Sequence, residues 1–379
     1  VRLVGSEMCI RDRDKITPTV KQAITYVKSL SSKAWRVTLK AVDLVTSPVK
    51  RVFGLLKSPL VAAGVTISAG AGIASTVKTY AEFEAAMSQV KAISGATGEE
   101  FTQLTEKAKQ MGATTKFTAA QSAEAFNYMA MAGWKASDMM SGIEGIMNLA
   151  AASGEDLGTT SDIVTDALTA FNLKASDSTH FADVLAQASA NANTNVSKMG
   201  QTFQYVAPVA GAMGYSIEDT ALAIGLMANA GIKGEKAGTA LRSIFTRLAD
   251  PPKDAAGAIE KLGLSITNAD GSMRPLNDVM KDLRKSFAGL TQEQKVQIAS
   301  QLAGQEAMSG LLALVNASEE DYNKLAEAIG NADGASKKMS DTMLDNLSGK
   351  WTLFQSALDG VKISLGERFK PYLMDALDW

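Results

Sequence analysis

The chain has 379 residues, a net charge of −2, 46% apolar and 21% charged residues, enough to bury a core and far from a disordered composition. Only 6% is aromatic, while Gly numbers 31 and Met 17, a mixture that favours helices packed at small residues over a sheet sandwich. One Cys (Cys9) and one His (His180) exclude an internal disulfide and a zinc site of the usual Cys/His kind, and a His-based triad has only His180 to use.

The charge is unevenly spread. Lys15 to Lys78 holds ten Lys or Arg against a single acid, Asp43, whereas the chain from Thr79 onward carries −11. A basic arm before an acidic body suits an anionic membrane surface, phosphate or an acidic partner, or a plain solvated helical face. Ahead of the arm, Val1 to Arg13 (VRLVGSEMCIRDR) has no helical stripe and lacks the apolar region and cleavage site of a secretory signal. It resembles a translated adapter remnant and is set apart as a non-native leader over 1–13.

Residues 14–78 form an apolar, basic helical arm in which Val20, Ile24, Val27 and Leu30 fall at helical spacing. Within it, 58–77 (SPLVAAGVTISAGAGIASTV) is free of charge for twenty residues, long enough to span a bilayer. Its Ala, Gly, Ser and Thr make insertion marginal and favour a small-residue helix packed on a partner.

From 79 to 335 the spacing predicts a succession of capped helices. Thr97/Glu100, Thr118/Gln121 and Thr291/Gln294 fit a capping box, and Ser216/Asp219 and Ser318/Asp321 fit acidic variants of it. Gly133, Gly154, Asn172 and Gly214 stand where left-handed caps end helices. Gly133, Asn172 and Gly214, 39 and then 42 residues apart, mark a weak repeat of helix pairs across about residues 118–250. One small β-hairpin is expected near 264–274, around Asn268-Ala269-Asp270-Gly271. The fold class is therefore all-α: stacked helical hairpins with that one hairpin, followed by the start of a long heptad-patterned helix.

That helix lies in 336–379. Leu347, Trp351, Phe354, Leu358, Val361, Leu365, Phe369 and Tyr372 step by 4, 3, 4, 3, 4, 4 and 3, nearly a coiled-coil seam. Gly349, Gly360 and Gly366 weaken it by about 1 kcal/mol each, so it needs a partner. The text stops at Trp379 as if cut within a helix.

No motif carries chemistry. HExxH, GxSxG, CxxC and an EF-hand loop are all missing, and Gly231-Ile232-Lys233-Gly234-Glu235-Lys236 is a helix-joining turn rather than a phosphate loop. His180 reads as a surface or capping residue. Glu99/Glu100 and Glu319/Glu320 fall in first turns, where the helix dipole favours acids. No catalytic, cofactor-binding or metal residues are expected, and no cofactor; the chain reads as a non-enzyme.

Several long phrases are similar to the core region of phage tail tape measure proteins: AEFEAAMSQVKAISGATGEEFTQL from Ala81, TTKFTAAQSAEAFNYMAMAGW from Thr114, VAPVAGAMGYSIEDTALAIGLMANAGIKGEKAGTALRSIFTRL from Val206, SMRPLNDVMKDLRKSF from Ser272, GQEAMSGLLALV from Gly304 and LDNLSGKW from Leu344. The resemblance spans roughly residues 79–370. It implies a structural protein of the virion tail, assembled in the host cytoplasm, that sets tail length, nucleates the tail tube and leaves ahead of DNA. Implied partners are the tail tube protein and tail assembly chaperones, with self-association through the coiled coil, contact with the host inner membrane during DNA entry, and contact with DNA. The rival reading is a membrane-active helical protein inserting through residues 58–77.

Overall fold

The computed structural model describes residues 69–377. The leader 1–13, most of the basic arm and residues 58–68 of the charge-free stretch lie outside the described residues. Sixteen α-helices follow in order: α1 Ala69–Ser94, α2 Gly98–Thr114, α3 Ala119–Met131, α4 Ala136–Ser153, α5 Leu157–Ala170, α6 Ser178–Asn191, α7 Val196–Ala212, α8 Ile217–Asn229, α9 Glu235–Ala249, α10 Lys253–Leu262, α11 Leu276–Ala288, α12 Gln292–Ala303, α13 Met308–Asn316, α14 Glu319–Gly330, α15 Ala335–Leu344 and α16 Leu347–Leu377. A single 3₁₀ turn, Ala175–Asp177, leads into α6. The fold is all-α.

The helices pack in two rows. In one, α1, α3, α5, α7 and α9 are successive neighbours; in the other, α2, α4, α6 and α8 are. Each hairpin bridges the rows, α3 with α4, α5 with α6 and α7 with α8. Helices α10 to α14 close one end, where α12 and α13 cover α9 and α14 covers α8. At the other end α16 covers α1 and α2, while α15 lies on α4 and α6. The starts of α3, α5, α7 and α9 fall 38, 39 and 39 residues apart. The wider interval between Asn172 and Gly214 arises because α7 has 17 residues and α5 has 14.

Local chemistry accounts for the boundaries. Thr118 and Thr291 each close both hydrogen bonds of a capping box with Gln121 and Gln294. Ser216 Oγ and Ser318 Oγ accept from the amides of Asp219 and Asp321. Thr97 makes no such bond, because Gly98 turns left-handed (φ 56°) and shifts the first turn by a residue. After α3, α5 and α7 the backbone is left-handed at Gly133, Asn172 (φ 54°) and Gly214, and Gly154 does the same after α4. At the first three, the next amide reaches back five residues: Trp134 to Met129 O, Leu173 to Leu168 O and Tyr215 to Ala210 O. Asn172 is the one non-glycine residue with positive φ among the described residues, and its short polar side chain tolerates that region best after glycine.

Glycines inside helices set the spacing between units. Gly145 of α4 sits against the Ser178–Thr179 backbone, Gly200 of α7 against Ile163, Gly211 against Ala170 and Gly238 of α9 against Tyr205. One continuous apolar core results, including Phe126, Phe181, Phe203, Phe245 and Phe287, all buried. Two arginines cap helix C-termini across the end of the stack: Arg247 donates to Leu302 O and Gln301 O at 3.1 and 2.8 Å, and Arg284 to Leu314 O at 3.1 Å. Both place a cation on the negative end of a helix dipole.

The expected hairpin at 264–274 is not formed as strands. A single antiparallel bridge joins Thr267 to Met273, and no strand occurs among the described residues. The turn chemistry is present, with Gly271 left-handed and Asp270 Oδ1 accepting from Ser272 N. Ile266 is buried, with Leu264 and Met273 half-buried against the core, but two arms this short form one bridge and no ladder.

Candidate interaction surface

The surface is built on α16. Its start is turned by Asn346, whose Oδ1 accepts from Gly349 N at 2.9 Å, and Gly349 lets the corner close on the Leu344 backbone. Lys350 pairs with Asp345 at 2.8 Å across the same corner. The helix then lies on α1 and α2 with Ser356, Ile363 and Gly366 inward, at steps of 7 and 3. Ser356 Oγ donates to Lys116 O at 3.1 Å, Gly366 abuts Tyr80, and ion pairs join Lys109 to Glu367 and Lys370 to Glu84.

The apolar seam, which needs a partner on its sequence, lies largely away from α1 and α2. Leu347 is 88% exposed and Trp351 58%, Leu358 and Val361 are exposed, and Phe354 and Leu365 are half-buried. The Trp351 and Phe354 rings rest on each other, centroids 5.5 Å apart. Phe369 is half-buried, and the Tyr372 side chain lies outside the described residues. The long helix exists over Leu347–Leu377, and among the described residues its heptad line is exposed or at most half-buried. Close approach to α1 at Tyr80 is made by Gly366, where a larger side chain would clash. From Leu347 to Val361 the outward line runs about 21 Å.

A second polar node holds the neighbouring segment. His180 Nε2, at the start of α6, is 2.6 Å from Glu218 Oε1 at the start of α8, with Asp333 at 3.6 Å from Nδ1. Burial opposes the charged ring, but the Glu218 hydrogen bond and charge, with Asp333 behind them, hold the His180 pKa above its ordinary 6.5. Burial also raises Glu218, yet its backbone hydrogen bond and His180 outweigh this and hold it below its ordinary 4.5. The histidine contribution to stability is complete below pH 6.5 and lost as pH rises through the raised folded value; the glutamate contribution is complete above 4.5 and lost on acidification. His180→Ala should therefore destabilise most between those limits and little at pH 9. Urea unfolding at pH 5.5 and pH 9 checks it, and an equal loss at both would remove the ion pair from the account.

Asp183, one turn after His180, is 3% exposed and was not singled out by its spacing. Its carboxylate accepts from Gly334 N and Ser336 N, both at 2.8 Å, and from Ser336 Oγ, so it sits on the N-terminus of α15. The available signal was a lone acid within the apolar run Phe181–Ala186. No group of His, Cys, Asp and Glu among the described residues is arranged to hold a metal ion. No helix there is long and apolar enough to cross a membrane.

A two-row helical stack edged by a helix that exposes much of its apolar line defines an all-α scaffold with no catalytic or metal cluster among the described residues. Comparison with known proteins places that scaffold. The phage-related minor tail protein family matches residues 105–304. The tape measure protein of Pneumococcus phage Dp-1 is 41% identical over 300 residues, which cover 79% of this chain and 26% of that protein. The probable tape measure protein of Escherichia phage P2 is 30% identical over 312 residues, 80% of this chain and 38% of that one. That of Clostridium phage phiCD119 is 22% identical over 383 residues, 98% and 40% respectively. The chain thus spans between about a quarter and two fifths of these relatives. No solved structure matches it. The chain belongs to the phage-related minor tail protein family, and its relatives there are tape measure proteins.

Proposed function

We propose that this region acts mechanically in the virion tail, setting tail length and nucleating the tail tube. The observation that carries the reading is the 41% identity with a tape measure protein over 79% of this chain, joined to a long terminal helix whose heptad line is largely exposed. The stack serves as the compact, nucleating part, and helix beyond Leu347 supplies length at about 1.5 Å per residue. The outward line is the surface for self-association through a coiled coil, and the tail tube protein and assembly chaperones are the other partners. Ejection ahead of the genome, with contact to DNA and the host inner membrane through the basic arm, completes the proposal.

The test is a deletion series in the parent phage, read as tail length by electron microscopy. Removing whole heptads from the helical portion downstream of Leu347 should shorten tails by about 1.5 Å per residue, since whole heptads keep the apolar line continuous. Removing 123–154, which takes out most of α3 and all of α4, should abolish tails instead. Tails of unchanged length after a heptad deletion would sink the ruler assignment.

A further inference from the structure

We propose that α15 and α16 form a releasable strap, a unit that docks on the two-row stack and undocks while the stack stays folded. The inference rests on packing alone and stands apart from the tail-length reading.

A surface helix of a globular protein ordinarily turns its apolar stripe to the core. The strap does the reverse. Its inward residues are Ala335, Ser336 and Ser340 on α15 and Gly349, Ser356, Ile363 and Gly366 on α16. Of the α16 side chains described, Ile363 alone joins the continuous apolar core. Meanwhile Met343, Leu347, Trp351, Leu358 and Val361 stay in solvent. Burial of apolar area is the main favourable term in helix docking, and here it is small. Besides Ile363 and the half-buried Met339, what holds the strap is polar: the Ser356 hydrogen bond to Lys116 O, and the Lys109–Glu367 and Lys370–Glu84 ion pairs. Pairs near the surface contribute little and are screened by salt.

The attachment point is better built. Asp183 of α6 takes three hydrogen bonds from Gly334 and Ser336, and Gly334 itself is left-handed (φ 75°) just before α15. That junction is a latch with a glycine turn at its root. Opening it frees α15 from α4 and α6, and α16, joined to α15 at the corner, then has only α1, α2 and the edge of α3 to leave. Undocking also presents the small face of α16 to solvent, so the released helix carries its heptad line on a rod with no body behind it.

Hydrogen exchange by mass spectrometry on the full chain tests this. In the unmodified protein, amides of residues 335–370 should exchange at least about tenfold faster than those of α6 and α8, and faster still in 0.5 M salt than in 0.05 M. Asp183→Asn should raise exchange in α15 and α16 by about a further tenfold and leave α3, α5 and α7 unchanged. Gly366→Ala separates docking from helix stability: alanine favours the helix, but its Cβ meets Tyr80, so faster exchange in α16 and around Tyr80 reports undocking alone. Strap amides as slow as those of α6, or no effect of Gly366→Ala, would overturn the proposal. So would a rise spread evenly over the whole body in both variants.

Discussion

Phe203→Ala should cost about 4 kcal/mol of folding stability, a large part of what a domain has. Phe203 is 1% exposed in the middle of α7. It meets Phe181 of α6 edge-on at 5.4 Å and Phe171, just after α5, at 6.2 Å. Three successive helices therefore share one aromatic cluster. Neither neighbour is free to fill the space, since Phe171 precedes the left-handed Asn172 and Phe181 lies in the α6 turn anchored by Ser178 Oγ on Gly142 O. Urea unfolding should show a lower midpoint at unchanged slope. Trp351→Ala, on the exposed face of α16, should change stability by less than about 0.5 kcal/mol. Similar losses for the two would mean that the stack does not depend on this cluster.

Gly145→Ala should cost about 2 kcal/mol even though alanine is the better helix former. The intrinsic gain of about 1 kcal/mol is outweighed because the new Cβ would fall 2.6 Å from Thr179 N and 2.7 Å from Ser178 C. Those are backbone atoms of α6, which cannot swing aside as a side chain would. Gly257→Ala in α10 is the matched control, with nothing near its added Cβ, and should gain about 0.5–1 kcal/mol. The difference between the two melting shifts reads the helix–helix approach directly. Equal shifts would show that α4 and α6 are less close than the geometry requires.

The all-α class and the repeat of about 39 residues were legible in the sequence because both rest on short-range rules. A threonine three residues before a glutamine closes a capping box at Thr118 and Thr291 with no help from the rest of the chain. The rule failed at Thr97, where Gly98 takes a backbone conformation that composition does not announce. The turn at Asp270-Gly271 was equally readable, but a turn does not fix the length of the ladder, and only the packed molecule shows that 264–274 stops at a single bridge.

The long terminal helix separates the two kinds of information most clearly. Periodicity alone determines that an apolar line runs from Leu347 through Leu365, since it depends only on 3.6 residues per turn. Which line packs is decided by fit. Gly366 fits against Tyr80 on α1 and Ser356 reaches Lys116 O, while Trp351 and Leu358 stay exposed, so the helix docks on its small face and exposes much of its large one. Asp183 is the same lesson at longer range. Its partners, Gly334 and Ser336, lie 151 and 153 residues away, and no local pattern links them. A buried carboxylate is stable there because folding brings the N-terminus of α15 to it with three donors already aimed.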